Sequence, residues 1–182
     1  MSKFFSSLLL ISLILTACTS KWDHSDPEMP AELRELNETI LNEQLGFLDE
    51  DPENLDALFE VAFRYQQLGD WGKAVKYYEK VLELVDTDFA TLNNLAYIYE
   101  EMEDYETSAE YIKLLYEANQ SNIEVIKDAV RILLKSGDTL NARHALDNFA
   151  AKMLSGETPD PLTQALVDEL SEDISTWESE NE

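Results

Sequence analysis

The feature that most constrains the fold is a self-similarity with a period of 34 residues. Shifted by that period, Gly69-Asp70-Trp71 falls on Glu103-Asp104-Tyr105 and then on Gly137-Asp138-Thr139. A chain with such a period stacks one structural unit several times. Other coinciding positions are Leu58, Leu92 and Ile126; Tyr65, Tyr99 and Leu133; Ala74, Ser108 and Ala142; and Tyr78, Ile112 and Leu146.

The repeated unit is predicted to consist of two helices joined by a turn. No proline occurs from Glu53 to Thr158, and apolar residues recur there every three or four residues without strand alternation. An Asp at the second position of each matched triplet suits the N-cap of a following helix, and a Gly before it suits the end of the preceding one. The sequence therefore predicts an all-α fold.

This pattern resembles the tetratricopeptide repeat, a helix–turn–helix unit of 34 residues. The resemblance implies a right-handed α-solenoid in which helix pairs stack in register. One departure lies in the third unit, where Val130 stands at a normally small position that is Ala62 and Ala96 in the first two. The predicted repeats span 55–88, 89–122 and 123–156.

Two flanking segments are predicted to complete a tetratricopeptide domain over residues 31–178. Residues 31–50 carry leucine and isoleucine at helical spacing and end before Asp51-Pro52. Pro52 lies one period before Asp86, so this N-terminal helix is predicted to be the second helix of a half-repeat. Residues 161–178 form a C-terminal capping helix with an acidic outer face, as a terminal unit needs for solubility. Residues 179–182 are predicted to be an acidic tail.

The amino-terminal end carries an export pattern. Lys3 precedes twelve residues, Phe4 to Leu15, that are apolar apart from serines. Since about 20 residues are needed to span a bilayer, this run predicts a removable signal peptide over 1–17. The following Leu15-Thr16-Ala17-Cys18 resembles the lipobox of bacterial lipoproteins. The resemblance implies cleavage before Cys18, a diacylglyceryl group on its sulfur and acylation of the new amino group. An ordinary signal peptide with an unrelated cysteine, or a buried structural thiol, are the alternatives.

The chain is therefore expected to attach to the lipid bilayer through acylated Cys18. Residues 18–30 contain two prolines and no helical period, which predicts a flexible tether. Thr19 follows the cysteine, where Asp would resemble a signal for retention in the inner membrane. The expected location is the outer membrane facing the periplasm if the organism has two membranes, and otherwise the outer face of the cell membrane.

The composition restricts the possible partners. The chain has 38 acidic and 13 basic residues and a net charge of −25. This charge repels polyphosphate, so nucleic acid is not an expected partner. The acidity is interpreted either as a solvated surface or as a means of recruiting a basic protein.

Binding residues are expected on the first helix of each unit, which lines the concave groove in the family that the sequence resembles. Steps of three and four residues place each set on one side of its helix. The three cations of the third unit form a basic stripe in an acidic protein. The groove positions are Phe59, Phe63 and Gln66; Asn93, Asn94, Tyr97 and Glu100; and, as the basic stripe, Lys127, Arg131 and Lys135.

Each group of groove positions has two interpretations. Phe59 and Phe63 either pack into the core or provide an apolar floor for a peptide side chain. The Asn94 amide carries a donor and an acceptor, which suits an extended peptide backbone, although Asn also occurs at such positions without a ligand. The basic stripe either pairs internally, with Glu100, Glu101 and the acidic C-terminal helix, or forms a pocket for a partner's carboxylate.

Catalytic and cofactor motifs are not found in the sequence. It has no His/Cys cluster with metal-ligand spacing, no Gly-rich phosphate loop and no Ser/His/Asp arrangement within a motif. We therefore expect no enzyme, no metal and no cofactor. The expected function is that of an extracytoplasmic scaffold that binds a segment of another protein in its groove. The alternatives are a structural spacer or self-associating envelope protein, and an enzyme or small-molecule binding protein.

Overall fold

A computed structural model describes residues 29–155 and 160–181 of the chain. The predicted signal peptide, Cys18 and most of the predicted tether lie outside these residues. In the described parts every regular element is a helix, as the sequence predicts. The eight helices are α1 (Ala31–Glu50), α2 (Leu55–Gln67), α3 (Trp71–Leu84), α4 (Phe89–Glu101), α5 (Tyr105–Ala118), α6 (Ile123–Lys135), α7 (Thr139–Met153) and α8 (Pro161–Asn181).

The chain divides into two units between Arg34 and Glu35. The described part of the first unit is the beginning of α1, where the backbone N–H groups of Leu33 and Arg34 donate to the Pro30 carbonyl at 3.0 Å. The second unit contains the rest of α1 and the other seven helices.

Helix starts are set by one capping side chain per helix. A side-chain oxygen at the N-cap accepts a backbone N–H from the first turn, which satisfies a donor that has no partner within the helix. The strongest example is Asp88, whose Oδ1 lies 2.8 Å from the Thr91 nitrogen. The caps of α2 to α7 are Asn54, Asp70, Asp88, Asp104, Asn122 and Asp138.

The turn inside each repeat uses a left-handed backbone residue. Gly69 and Gly137 have φ of 77° and 80°, values that glycine adopts without steric cost. The second repeat has Glu103 at the same place, with φ of 59°. A side chain in this region is strained, because its Cβ approaches the backbone carbonyl.

The helices pack as successive pairs, α2 with α3, α4 with α5, and α6 with α7, and α8 covers the last pair. Close approach within the second pair is visible at Ser108, whose Oγ donates to the Ala96 carbonyl at 2.7 Å. Leu82 and Tyr111 pack against both of the buried apolar clusters, so the core continues from one repeat to the next. This arrangement is an α-solenoid of tetratricopeptide repeats, and the predicted fold class is confirmed.

The third pair is less closely packed than the first two. Val130 is fully buried here, at the position that is Ala62 and Ala96 in the earlier repeats. A valine holds neighbouring backbones further apart than an alanine does, because its two additional methyl groups must be accommodated in a dense core.

Helix α8 differs from its predicted extent. It continues to Asn181, so the predicted acidic tail over 179–182 is helical at least through residue 181. Asn181 Nδ2 donates to the Trp177 carbonyl at 2.8 Å and Ser179 Oγ to the Thr176 carbonyl at 2.8 Å, which satisfies carbonyls of the last turn. At the other end of α8, Leu162 is 80% exposed, although the sequence pattern places it on the inward face.

The strain at Glu103 yields a stability prediction. Glu103→Gly is expected to raise the free energy of unfolding by about 0.5–1 kcal/mol, because glycine removes the Cβ clash. The control is Glu110→Gly, which removes the same charge from the middle of α5. It is expected to lower the free energy of unfolding by about 1 kcal/mol. Chemical denaturation measures both values, and a loss of stability in both variants would contradict the strain.

Candidate functional site

The groove positions of α2 contribute mainly to the core. The Phe59 ring packs edge-on against Tyr78, with 5.5 Å between centroids and 65° between planes. Gln66 Oε1 accepts a hydrogen bond from the Tyr78 hydroxyl at 2.8 Å. Tyr78 is fully buried, and this burial raises its pKa. Phe59 and Gln66 therefore hold a core tyrosine, which leaves half-buried Phe63 as the more available apolar side chain of this helix.

The groove positions of α4 have free hydrogen-bonding capacity. Asn93 is exposed and Asn94 is half-buried. Within the described residues, neither side-chain amide has a hydrogen-bond partner. Tyr97 is half-buried against the core, and burial raises its pKa. Since an amide offers two donors and an acceptor, the two asparagines can bind a peptide backbone without breaking an existing hydrogen bond.

The basic stripe on α6 is paired with carboxylates of the same chain. Arg131 Nη1 binds Glu100 Oε1, and Arg131 Nη2 lies 2.7 Å from Asp128 Oδ1. Lys135 Nζ lies 2.9 Å from the same Glu100 oxygen. Lys127 Nζ is more loosely placed, 3.5 Å from Glu124 Oε1.

Glu100 is the centre of this network. Its side chain is only 11% exposed and bridges α4 to two cations on α6. Burial lowers the pKa of Arg131, the most enclosed of the three cations. The structure thus shows the internal pairing that the sequence left as one of two interpretations. A partner carboxylate would have to displace Glu100 or Asp128 to reach Arg131.

A cleft that sequence reasoning missed lies between α5 and α7. Its volume is about 370 Å³. Asn148 Nδ2 donates to the Tyr116 hydroxyl at 2.9 Å and lies 3.3 Å from His144 Nε2. The repeat pattern gives no signal for the cleft, because residues from two different repeats line it. The lining residues are Lys113, Tyr116, Glu117, Gln120, Leu133, Asn141, His144 and Asn148.

Lys113, at the edge of this cleft, is already paired. Its Nζ lies 2.8 Å from Asp138 Oδ2. Although burial opposes it, hydrogen bonds from Lys113 and Asn141 hold the pKa of Asp138 below its ordinary value. Asp138 also caps α7, so Lys113 strengthens a helix start and is not free for a ligand.

Metal and membrane sites were also sought in residues 29–155 and 160–181. No three His, Cys, Asp or Glu side chains come together there in a way that could hold a metal ion. No helix of this part is both long and apolar enough to cross a bilayer.

Comparison with protein families identifies the repeat. Residues 55–88 and 89–122 each match a family model described as "Tetratricopeptide repeat". The two matches cover the first two predicted units, with the same bounds. No curated protein matches the chain. Tetratricopeptide repeats are typical of proteins that bind other proteins.

Solved structures share the fold. MamA 41-end from Desulfovibrio magneticus RS-1 is 12% identical, with a TM-score of 0.56 over 79% of this chain and 86% of that one. A tetratricopeptide repeat protein from Parabacteroides merdae is 15% identical, with a TM-score of 0.55 over 78% of this chain and 60% of that one. PcrH, in complex with the chaperone binding region of PopD, is 17% identical, with a TM-score of 0.50 over 72% of this chain and 96% of that one.

The Glu100 network yields a second stability prediction. Glu100→Gln is expected to lower the free energy of unfolding by about 1–3 kcal/mol, because two cations lose their shared charged acceptor. The matched control is Glu124→Gln, whose carboxylate is 78% exposed and meets Lys127 at 3.5 Å. Its effect is expected to be at most about 0.5 kcal/mol. Equal effects in urea unfolding would show that the network does not stabilise the fold.

Proposed function

We propose that this chain is a protein–protein interaction adaptor that binds an extended segment of a partner along α2, α4 and α6. The observation that carries the proposal is the pair of unpartnered amides, Asn93 and Asn94, at the middle of the repeat stack. Phe63 and Tyr97 supply partly exposed apolar surface beside them. The similar structure of PcrH contains a bound region of PopD, which supports a fold able to hold a partner segment.

The charges of the groove favour a particular kind of segment. The basic stripe is neutralised by Glu100, Asp128 and Glu124, so it offers little attraction to an acidic partner. The chain as a whole is strongly acidic, with a net charge of −25. A neutral or basic segment therefore approaches with less repulsion, and its backbone amides provide the hydrogen bonds that Asn94 needs.

The groove assignment is tested by Asn94→Ala in affinity capture from membranes of the native organism. Partners that bind the groove are expected to be recovered at least about tenfold less, because removing a buried polar group from the centre of an interface costs more than about 1 kcal/mol of binding free energy. The matched control is Asn181→Ala, which removes an amide from the distant end of α8 and is expected to leave recovery unchanged. Full recovery with Asn94→Ala would contradict the proposed groove.

We also propose that the adaptor is anchored outside the cytoplasm by lipid on Cys18. The sequence Leu15-Thr16-Ala17-Cys18 after a short apolar run supports this proposal. Two or three acyl chains hold a protein stably on a bilayer, whereas one binds only marginally. In an organism with two membranes the proposed site of attachment is the outer membrane, with the repeats in the periplasm.

Lipid anchoring predicts a clear change of fractionation. Cys18→Ser is expected to move the protein from the membrane pellet to the soluble fraction and to abolish incorporation of labelled palmitate. Thr19→Ala, next to it, is the control and is expected to remain membrane-bound and labelled. Mass spectrometry of the amino-terminal peptide identifies the acyl groups. A Cys18→Ser protein that stays in the pellet after carbonate washing would refute this mode of anchoring.

A further inference from the structure

Helix α1 occupies the place of a second helix in a repeat, but its partner first helix is absent from the described residues. One period before α3 (Trp71–Leu84) lies 37–50, which is the carboxyl-terminal part of α1. In the three complete repeats, three positions of the second helix pack against the first helix of the same repeat. None of these residues is more than 4% exposed: Ala74, Tyr78 and Val81; Ser108, Ile112 and Leu115; and Ala142, Leu146 and Phe149.

The corresponding positions of α1 are open. They are Ile40, Gln44 and Phe47, of which Phe47 is 46% exposed and the other two are half-buried. Leu36, one turn before Ile40, is also exposed. Steps of three and four residues place these four side chains on one side of the helix. We call them the open face of α1.

The opposite side of α1 is fixed to the repeats. Asn37 and Leu41 are buried, and Arg64 Nη1 donates to Asn37 Oδ1 at 2.9 Å. Because this hydrogen bond already positions α1 on α2, the helix cannot rotate to bury Phe47 without breaking it. The open face is therefore a fixed feature of the fold.

The chain's own sequence does not offer a helix for this face. The missing first helix would fall at 21–33, one period before α2 (Leu55–Gln67). That stretch contains Pro27 and Pro30, and its last residues already belong to α1. Proline in a helix interior removes a hydrogen bond and clashes with the preceding turn. The occupant must come from another molecule.

The charge around the open face indicates which molecule fits. Residues 35–50 contain five carboxylates and no Lys or Arg, and Glu43 and Glu50 lie along the border of the open face. A second copy of α1 would bring the same carboxylates against them. A helix with an apolar side and basic flanks instead meets the apolar stripe and the acidic border together.

We propose that the open face of α1 is a docking site for an amphipathic, basic helix of a partner protein, which completes the half-repeat. This site is separate from the groove along α2, α4 and α6. The partner helix takes the place that a first helix occupies in the complete repeats, and its apolar side chains cover Ile40 and Phe47. Its lysines or arginines face Glu43 and Glu50.

The test uses the full-length protein in detergent and two synthetic peptides of about 20 residues, both with leucine along one helical side. One peptide carries lysine on the other side and the second carries glutamate. Phe47→Gln is compared with Leu140→Gln, which removes a 79% exposed apolar side chain from α7. Neither substitution changes the protein's charge, so general attraction of lysine to an acidic protein is equal in both variants.

At physiological salt, Phe47→Gln is expected to weaken binding of the lysine peptide at least tenfold, while Leu140→Gln leaves it unchanged and the glutamate peptide does not bind. Hydrogen exchange of the amides from Ile40 to Phe47 is expected to slow when the lysine peptide is bound. Circular dichroism establishes that both variants remain folded. Equal binding by Phe47→Gln, binding of both peptides, or no binding of either would overturn the proposal. A protein dimer that Phe47→Gln dissociates would overturn it in favour of a second copy.

Discussion

Burial of the apolar side of each helix pair by the next pair is the constraint on which the rest of this structure depends. A single helix–turn–helix unit exposes too much apolar surface to be stable alone, so the units gain stability only by stacking. The contacts that join units are specific: Leu82 and Tyr111 pack into both buried clusters. Since every groove position lies on a helix held by these contacts, the spacing of Asn94 from its neighbours is set by the stack.

The sequence could predict the stack because a repeat reports its own register. A position that is small or apolar in three units 34 residues apart identifies a core position without any knowledge of its partner, as Ala74, Ser108 and Ala142 show. The same reasoning cannot predict features that occur once. The exposure of Leu162 depends on whether another helix covers its first turn, and periodicity alone places it inside.

The candidate site was less predictable than the fold, for a related reason. Periodicity selects the residues on one side of a helix, but it does not determine which opposite charges come within reach across helices. Glu100 and the basic stripe are on different helices, and only the packing of α4 against its neighbours brings Glu100 to 2.9 Å from Lys135. The network therefore converts the most unusual sequence feature, a row of cations in an acidic protein, into a contact between repeats. What remains free in the groove is neutral.

The two ends of the stack solve the same problem differently. At the carboxyl end α8 buries Leu170 and Ile174 against the last repeat and presents acidic residues outward, which closes the core. At the amino end α1 is attached through Asn37 and Leu41, but its inner side has no helix to cover it among the described residues. Exposed apolar surface on a helix that is otherwise fixed by packing is characteristic of an interaction site. The asymmetry between the ends therefore favours a second binding surface at α1, the helix nearest in sequence to Cys18, while the carboxyl end only terminates the fold.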